Sequence, residues 1–262
     1  MKKYILVLLL TCISVNNLSA ETIEEKFSKA NDLYKSKEYA LALDKYLEIK
    51  NENTISADLY YNIGNTYFRL SDYANSILYF ERALKLEPKN KSIQNNLKVV
   101  KARLKGDTYI LSNFLLFDLW KSLYNSFMPK TWIILTISLF LLSGICFIIY
   151  YYAIDRKVLF FYTFLSLSLL SVLSFSLGLS RQNYLNDSSY AIVFDDNVQG
   201  KDSIDSKIDS GLSFYKGQKV KIIDDLDAWY KLRLEDGKEV WGMKKHFVIM
   251  DCMDMQIGIS KR

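Results

Sequence analysis

Two asparagines, Asn31 and Asn65, stand 34 residues apart in a chain of 262. A primary amide offers both donors and an acceptor, which suits it to holding a peptide backbone. The alternative is two ordinary residues on a solvated helix face. Little else in the chain has the spacing of a reactive constellation. The single histidine, His246, lies beside two lysines with no nucleophile or metal-ligand partner at useful spacing. The acid pairs Glu24-Glu25 and Asp224-Asp225 read as solvated surface. No G-x-x-x-x-G-K-[ST] and no H-E-x-x-H occurs. Catalysis needs a constellation rather than a residue, so an enzyme is not expected. No cofactor and no metal site is expected either.

The elements that must position the amides come from a repeat. The stretch Ala57 to Asn90 falls on Ile23 to Ser56 when moved back by one 34-residue period, aligning Gly64 with Ala30, Tyr73 with Tyr39, Ala74 with Ala40 and Phe80 with Tyr46. The second copy reads Tyr60-x-x-Ile63-Gly64-x-x-Tyr67, then Phe80, Ala83 and Pro88. It resembles the tetratricopeptide repeat, a pair of antiparallel helices. A small residue at 64 or 30 lets the helices approach, Tyr67, Tyr73 and Phe80 fill the gap between them, and Pro88 stops the second helix. The first copy lacks the proline and has Lys26 where Tyr60 stands. "KSIQNNLKVVKARLKGD" places Ile93, Leu97, Val100 and Leu104 at helical spacing before Gly106, as a capping helix. Residues 22–106 are thus expected to form an all-α solenoid of about two and a half repeats. The resemblance implies a concave, peptide-gripping face carrying Phe27, Asn31, Tyr34 and Lys35 from copy one and Tyr61, Asn65, Phe68 and Arg69 from copy two. The carboxylate-binding variant of the family has a lysine where Phe27 stands, which argues against a C-terminal carboxylate ligand.

Ahead of the repeats, "MKKYILVLLLTCISVNNLSA" has two lysines, an apolar run from Tyr4 to Val15 and the small pair Ser19-Ala20. It reads as a signal peptide over residues 1–20, cleaved after Ala20, with an uncleaved anchor as the alternative. Of three cysteines, Cys12 lies in that segment, Cys146 in an apolar run and Cys252 alone, so no disulfide framework is expected. The balance of 34 basic against 29 acidic residues is mildly positive and has no basic run with interleaved aromatics, which argues against nucleic acid.

Two uncharged apolar runs, 131–154 and 158–180, are each long enough to cross a bilayer core of about 30 Å. They read as a transmembrane hairpin, with Trp132 and Tyr150-Tyr151-Tyr152 as interfacial aromatics. An exported repeat domain would leave Arg156 and Lys157 on the cytoplasmic side, in the positive-inside sense. Ser171, Ser174 and Gly178 share a face suited to close helix contact. Residues 107–130, with Phe114, Phe117, Trp120, Tyr124 and Phe127 recurring, read either as an interfacial amphipathic helix or as a helix packed on the repeats.

From Ser189 the pattern turns to short strands. "YAIVF", "FYKGQKVKIID", "AWYKLRLEDGKEVWGM" and "HFVIM" carry alternating apolar positions, and Asp236-Gly237 is a hairpin signal. Gly217-Gln218-x-Val220, Trp229-Tyr230-x-Leu232 and Trp241-Gly242 resemble bacterial SH3-like domains, which implies a small all-β barrel over 187–252. Trp229, Tyr230 and Trp241 are a candidate ligand platform or the filling of a small core.

The order of signal peptide, tetratricopeptide array, two-span hairpin and SH3-like tail resembles the BatE family of bacterial aerotolerance operons. That resemblance also rests on "IQNNLKVVKARL" and "GQKVKIIDDLDAWYKLRLEDGKEVW". It implies a multi-domain protein of the bacterial inner membrane with periplasmic soluble domains. It implies a stress-related envelope assembly as well, with partners among membrane proteins that carry von Willebrand factor A domains and a MoxR-type ATPase. The expected function is a membrane-anchored scaffold. The alternative is a peptidoglycan-binding anchor or sensor acting through the tail.

Overall fold

The computed structural model describes residues 21–104, 115–152, 155–204, 209–234 and 237–251. The signal segment, Gly106, Phe114, Asp236 and Cys252 lie outside them. The first five helices are α1 (Ile23–Lys35), α2 (Tyr39–Asn51), α3 (Ala57–Arg69), α4 (Tyr73–Leu86) and α5 (Lys91–Lys101). Their starts follow from local capping. Thr22 and Glu25 form a reciprocal capping box, so Glu25 has a structural role. Asp72 accepts from the Asn75 amide, and Asn90 from those of Ser92 and Ile93. Helix α4 stops at Leu86 because Glu87, ahead of Pro88, is driven out of the helical region, to φ −123° and ψ 75°. The α1–α2 and α3–α4 turns each hold one residue at positive φ, Lys37 (67°) and Ser71 (64°), one repeat apart.

Gly64 sits at a helix contact. A Cβ there would lie 2.8 Å from the Phe80 ring, and the Gly64 carbonyl accepts from Ser76 Oγ at 2.8 Å. The aromatic positions do fill the space between helices. Tyr67 stacks on Tyr79 at 5.6 Å, Tyr61 meets Phe80 at 5.8 Å and Phe68 meets Tyr73 at 5.8 Å.

Helices α6 (Leu115–Tyr124), α7 (Pro129–Tyr152) and α8 (Lys157–Asn186) follow. By length and composition α7 and α8 are able to cross a membrane, and only 11% of each apolar window is buried by protein. Helices this apolar would ordinarily be hidden in a core. Here Ile134, Phe140, Leu169 and Val172 are exposed. The face between them is polar and small. Thr136 Oγ1 donates to Ser174 Oγ at 3.0 Å, Ser143 and Ser168 share a bond of 2.7 Å, and Ser171 Oγ donates to the Thr136 carbonyl at 3.2 Å. At Gly178 a Cβ would be 3.0 Å from Trp132 Cβ. Such contacts suit helix pairing where backbones must approach closely.

Helix α8 runs past the expected 158–180 to Asn186, because its last turns pack on protein. Arg181, 1% exposed, donates from Nη1 to Asn125 Oδ1 at 2.8 Å and from Nη2 to the Leu86 carbonyl at 2.8 Å. It thereby satisfies a carbonyl at the C-terminus of α4, where a cation is also favoured by the helix dipole. Lys89 Nζ reaches Ser126 Oγ at 3.1 Å, and Trp132 Nε1 donates to the Tyr124 carbonyl at 3.2 Å. The segment after α6 therefore lies between the repeats and the hairpin.

Seven antiparallel strands complete the chain: β1 (Tyr190–Val193), β2 (Val198–Lys201), β3 (Asp209–Phe214), β4 (Lys219–Leu226), β5 (Trp229–Arg233), β6 (Glu239–Met243) and β7 (Phe247–Ile249). The order is β3-β2-β6-β5-β4-β1-β7. The sheet is not closed by backbone pairing, so the expected barrel is an open sheet. Its edges approach through side chains instead, where the Phe214 and Phe247 rings meet at 5.6 Å. The hairpin signal holds at Gly237, whose φ is +86°.

The sheet and the repeats share a core. Strand β1 alternates between two apolar environments: Ala191 and Val193 point into the sheet's own core, and Ile192 points into that of the repeats with Met250. Helix α4 is consequently buried nearly all round, its charged Glu81, Arg82 and Lys85 included. The repeats and the sheet therefore lie at the same end of the α7–α8 hairpin.

Candidate functional site: the concave face of the repeats

Helices α1, α3 and α5 line one side of the array. A cavity of about 160 Å³ opens there, walled by Tyr34, Phe68 and Val99, with Asn65 and Asn96 beside Arg69. Four of the eight expected groove residues (Tyr34, Asn65, Phe68 and Arg69) line it. The other four do not. Phe27 packs edge-on against Tyr46 at 5.8 Å and Tyr61 against Phe80. Lys35 pairs with Asp32 at 3.2 Å. Asn31 is bonded within the array.

The two asparagines have a different role from holding a ligand unaided. Asn31 Oδ1 accepts from Tyr46 Oη at 2.6 Å and from Asn62 Nδ2 at 3.2 Å. One period later, Asn65 Oδ1 accepts from Asn96 Nδ2 at 2.8 Å, and Asn96 also reaches Tyr61 Oη at 3.1 Å. The recurrence is thus an amide clasp between successive first helices, repeated once per unit. Burial pushes the Tyr46 phenol up to about 12, so it stays a donor at neutral pH. The sequence singled out Asn31 and Asn65 but not their acceptor role. The signal was present in Asn62 and Asn96, which recur at the same period.

Arg69 stays at the surface, its Nε 3.4 Å from Tyr34 Oη. This hydrogen bond raises its already high pKa. The cavity therefore offers one cation, three aromatic side chains (Tyr34, Phe68 and Phe80) and an exposed aliphatic residue, Val99, which sequence reasoning did not single out.

The tail residues separate. Tyr230 lies in the sheet core, on the opposite face from its neighbours, because side chains alternate along a strand. It cannot share a platform with Trp229 and Trp241. Those two lie on the outward face, where Lys201 Nζ sits 5.3 Å from the Trp229 ring centroid. His246 Nδ1 is 2.6 Å from Asp195 Oδ2, a pair at the strand end.

The tetratricopeptide repeat family model matches residues 57–90, which are the second copy, α3 and α4. A repeat of this family is a non-catalytic unit that serves protein–protein interaction. No curated protein matches the chain.

Proposed function

We propose that the protein is a membrane-anchored scaffold of the bacterial envelope. Its α7–α8 hairpin fixes it in the inner membrane, and its repeats grip partner proteins on the periplasmic side. The supporting observation is the aromatic-walled cavity between α1, α3 and α5, open on the face that repeats of this kind use for peptides. The resemblance to BatE-like proteins favours envelope partners, among them proteins with von Willebrand factor A domains, in an aerotolerance-related assembly.

Phe68→Ala combined with Val99→Ser is expected to abolish cross-linking of partner proteins in intact membranes, with helical content unchanged by circular dichroism. Undiminished cross-linking would remove the groove from the interface. For the topology, an alkaline phosphatase appended after Arg262 is expected to be active, because export is needed for its activity. An inactive phosphatase with an active cytoplasmic reporter at the same place would place the soluble parts in the cytoplasm.

A further inference from the structure

Three basic residues recur at the repeat interval around the ends of the first helices. Lys35 and Arg69 end α1 and α3, and Arg103 follows α5 at the same 34-residue interval. A cation at a helix C-terminus is favoured by the helix dipole alone. That does not account for the missing counter-charge. Lys35 has Asp32, yet among the described residues no carboxylate pairs with Arg69 or Arg103, and none lines the cavity beside Arg69. The cavity's walls are aromatic and aliphatic, with Val99 50% exposed.

We infer that the groove takes an extended acidic peptide, with carboxylates along the Lys35–Arg69–Arg103 column and an intervening apolar side chain in the cavity between Phe68 and Val99. The inference rests on the groove reading above and adds the partner's chemistry. An anionic lipid surface offers the same charge, and placement decides against it. Arg69 lies at the end of α3 beside the start of α4, where Phe68 meets Tyr73. The hairpin joins the opposite end of α4, where Arg181 holds the Leu86 carbonyl. A helix of 14 residues separates the two ends, about 20 Å at 1.5 Å per residue. The Arg69 end of α3 therefore lies about 20 Å along α4 from the hairpin junction.

The test uses the full chain in nanodiscs and a fluorescent synthetic heptapeptide alternating glutamate with leucine or phenylalanine. Its glutamine counterpart is the control. The acidic peptide is expected to bind at least ~10-fold tighter than the control at low salt, and to weaken as salt rises, since exposed charges are screened. Arg69→Glu should cost it ~10-fold or more, Arg103→Glu less, and Arg69→Lys little. A lysine-bearing peptide should gain on the Arg69→Glu protein. Equal binding of the acidic and neutral peptides would overturn the inference and leave the groove reading standing. Acidic binding unmoved by Arg69→Glu and Arg103→Glu would also overturn it, as would binding of neither peptide. If the protein in neutral nanodiscs instead captured added anionic vesicles, and the same two variants abolished that capture, lipid would be the occupant. Loss of the groove itself would show separately, as cross-linking undiminished in the Phe68→Ala, Val99→Ser protein.

Discussion

Glu81→Gln is expected to destabilise the intact protein by about 3 kcal/mol, the lower end of the range for breaking a buried ion pair. Glu81 is 7% exposed on α4 and accepts from Lys101 of α5 at 2.9 Å and from Lys219 of β4 at 2.8 Å. Three elements meet on one carboxylate. The lower end applies because both lysines are partly exposed and regain water when their partner is lost. Burial alone would push the carboxyl pKa up; the Lys219 and Lys101 ammonium groups outweigh it and hold the pKa down to about 2. A depressed folded pKa stabilises fully above the unfolded value of about 4.3. That contribution is lost as pH falls from there through about 2. Thermal unfolding in detergent between pH 7 and pH 2 checks both points. The native protein should lose stability along that limb more steeply than Glu81→Gln, and parallel limbs would deny the carboxylate its role.

Gly217→Val is expected to separate the sheet from the repeats. Gly217 has φ +82°, and a Cβ there would lie 2.4 Å from Leu104 Cδ1 and 2.9 Å from Ile77 Cδ1. Two costs add: a β-branched residue in a left-handed conformation, about 1–3 kcal/mol, and overpacking against two aliphatic side chains, about 1–3 kcal/mol. Amide hydrogen exchange should rise in β1, β4 and α5 together, since all three border the contact. Exchange confined to the turn holding residue 217 would mean that the junction tolerates the added bulk.

The repeat was legible because its signals are local. Gly64, Phe80 and Pro88 each act on a neighbour within the same unit, so spacing alone gave the helices and their contact. The two apolar helices were legible for the same reason, since length and lack of charge suffice. The junction was not. Gly217 reads as part of the SH3-like pattern of a separate tail, and nothing near it announces Leu104 or Ile77. Arg181 falls just past the second uncharged run, and nothing near it announces that it holds the end of α4. The groove was half legible: Tyr34, Phe68 and Arg69 follow from the repeat register. Whether an amide faces a ligand or another amide depends on which side chains stack across units, and Asn31 and Asn65 fell to the second case. Alternation in β5 already placed Trp229 and Tyr230 on opposite faces, so a platform made of both was excluded by the strand itself.

Ile192 completing the core of the repeats has a consequence in time. The helices that need it are made first, and the strand that supplies it is separated from α5 by the whole hairpin. At about 5–20 residues per second of synthesis, the repeats wait roughly 5–20 s before β1 exists. During that interval Ile77 and Leu104 have no cover from the sheet. Contacts this distant in sequence form late, so the nascent array carries that apolar surface uncovered until β1 arrives.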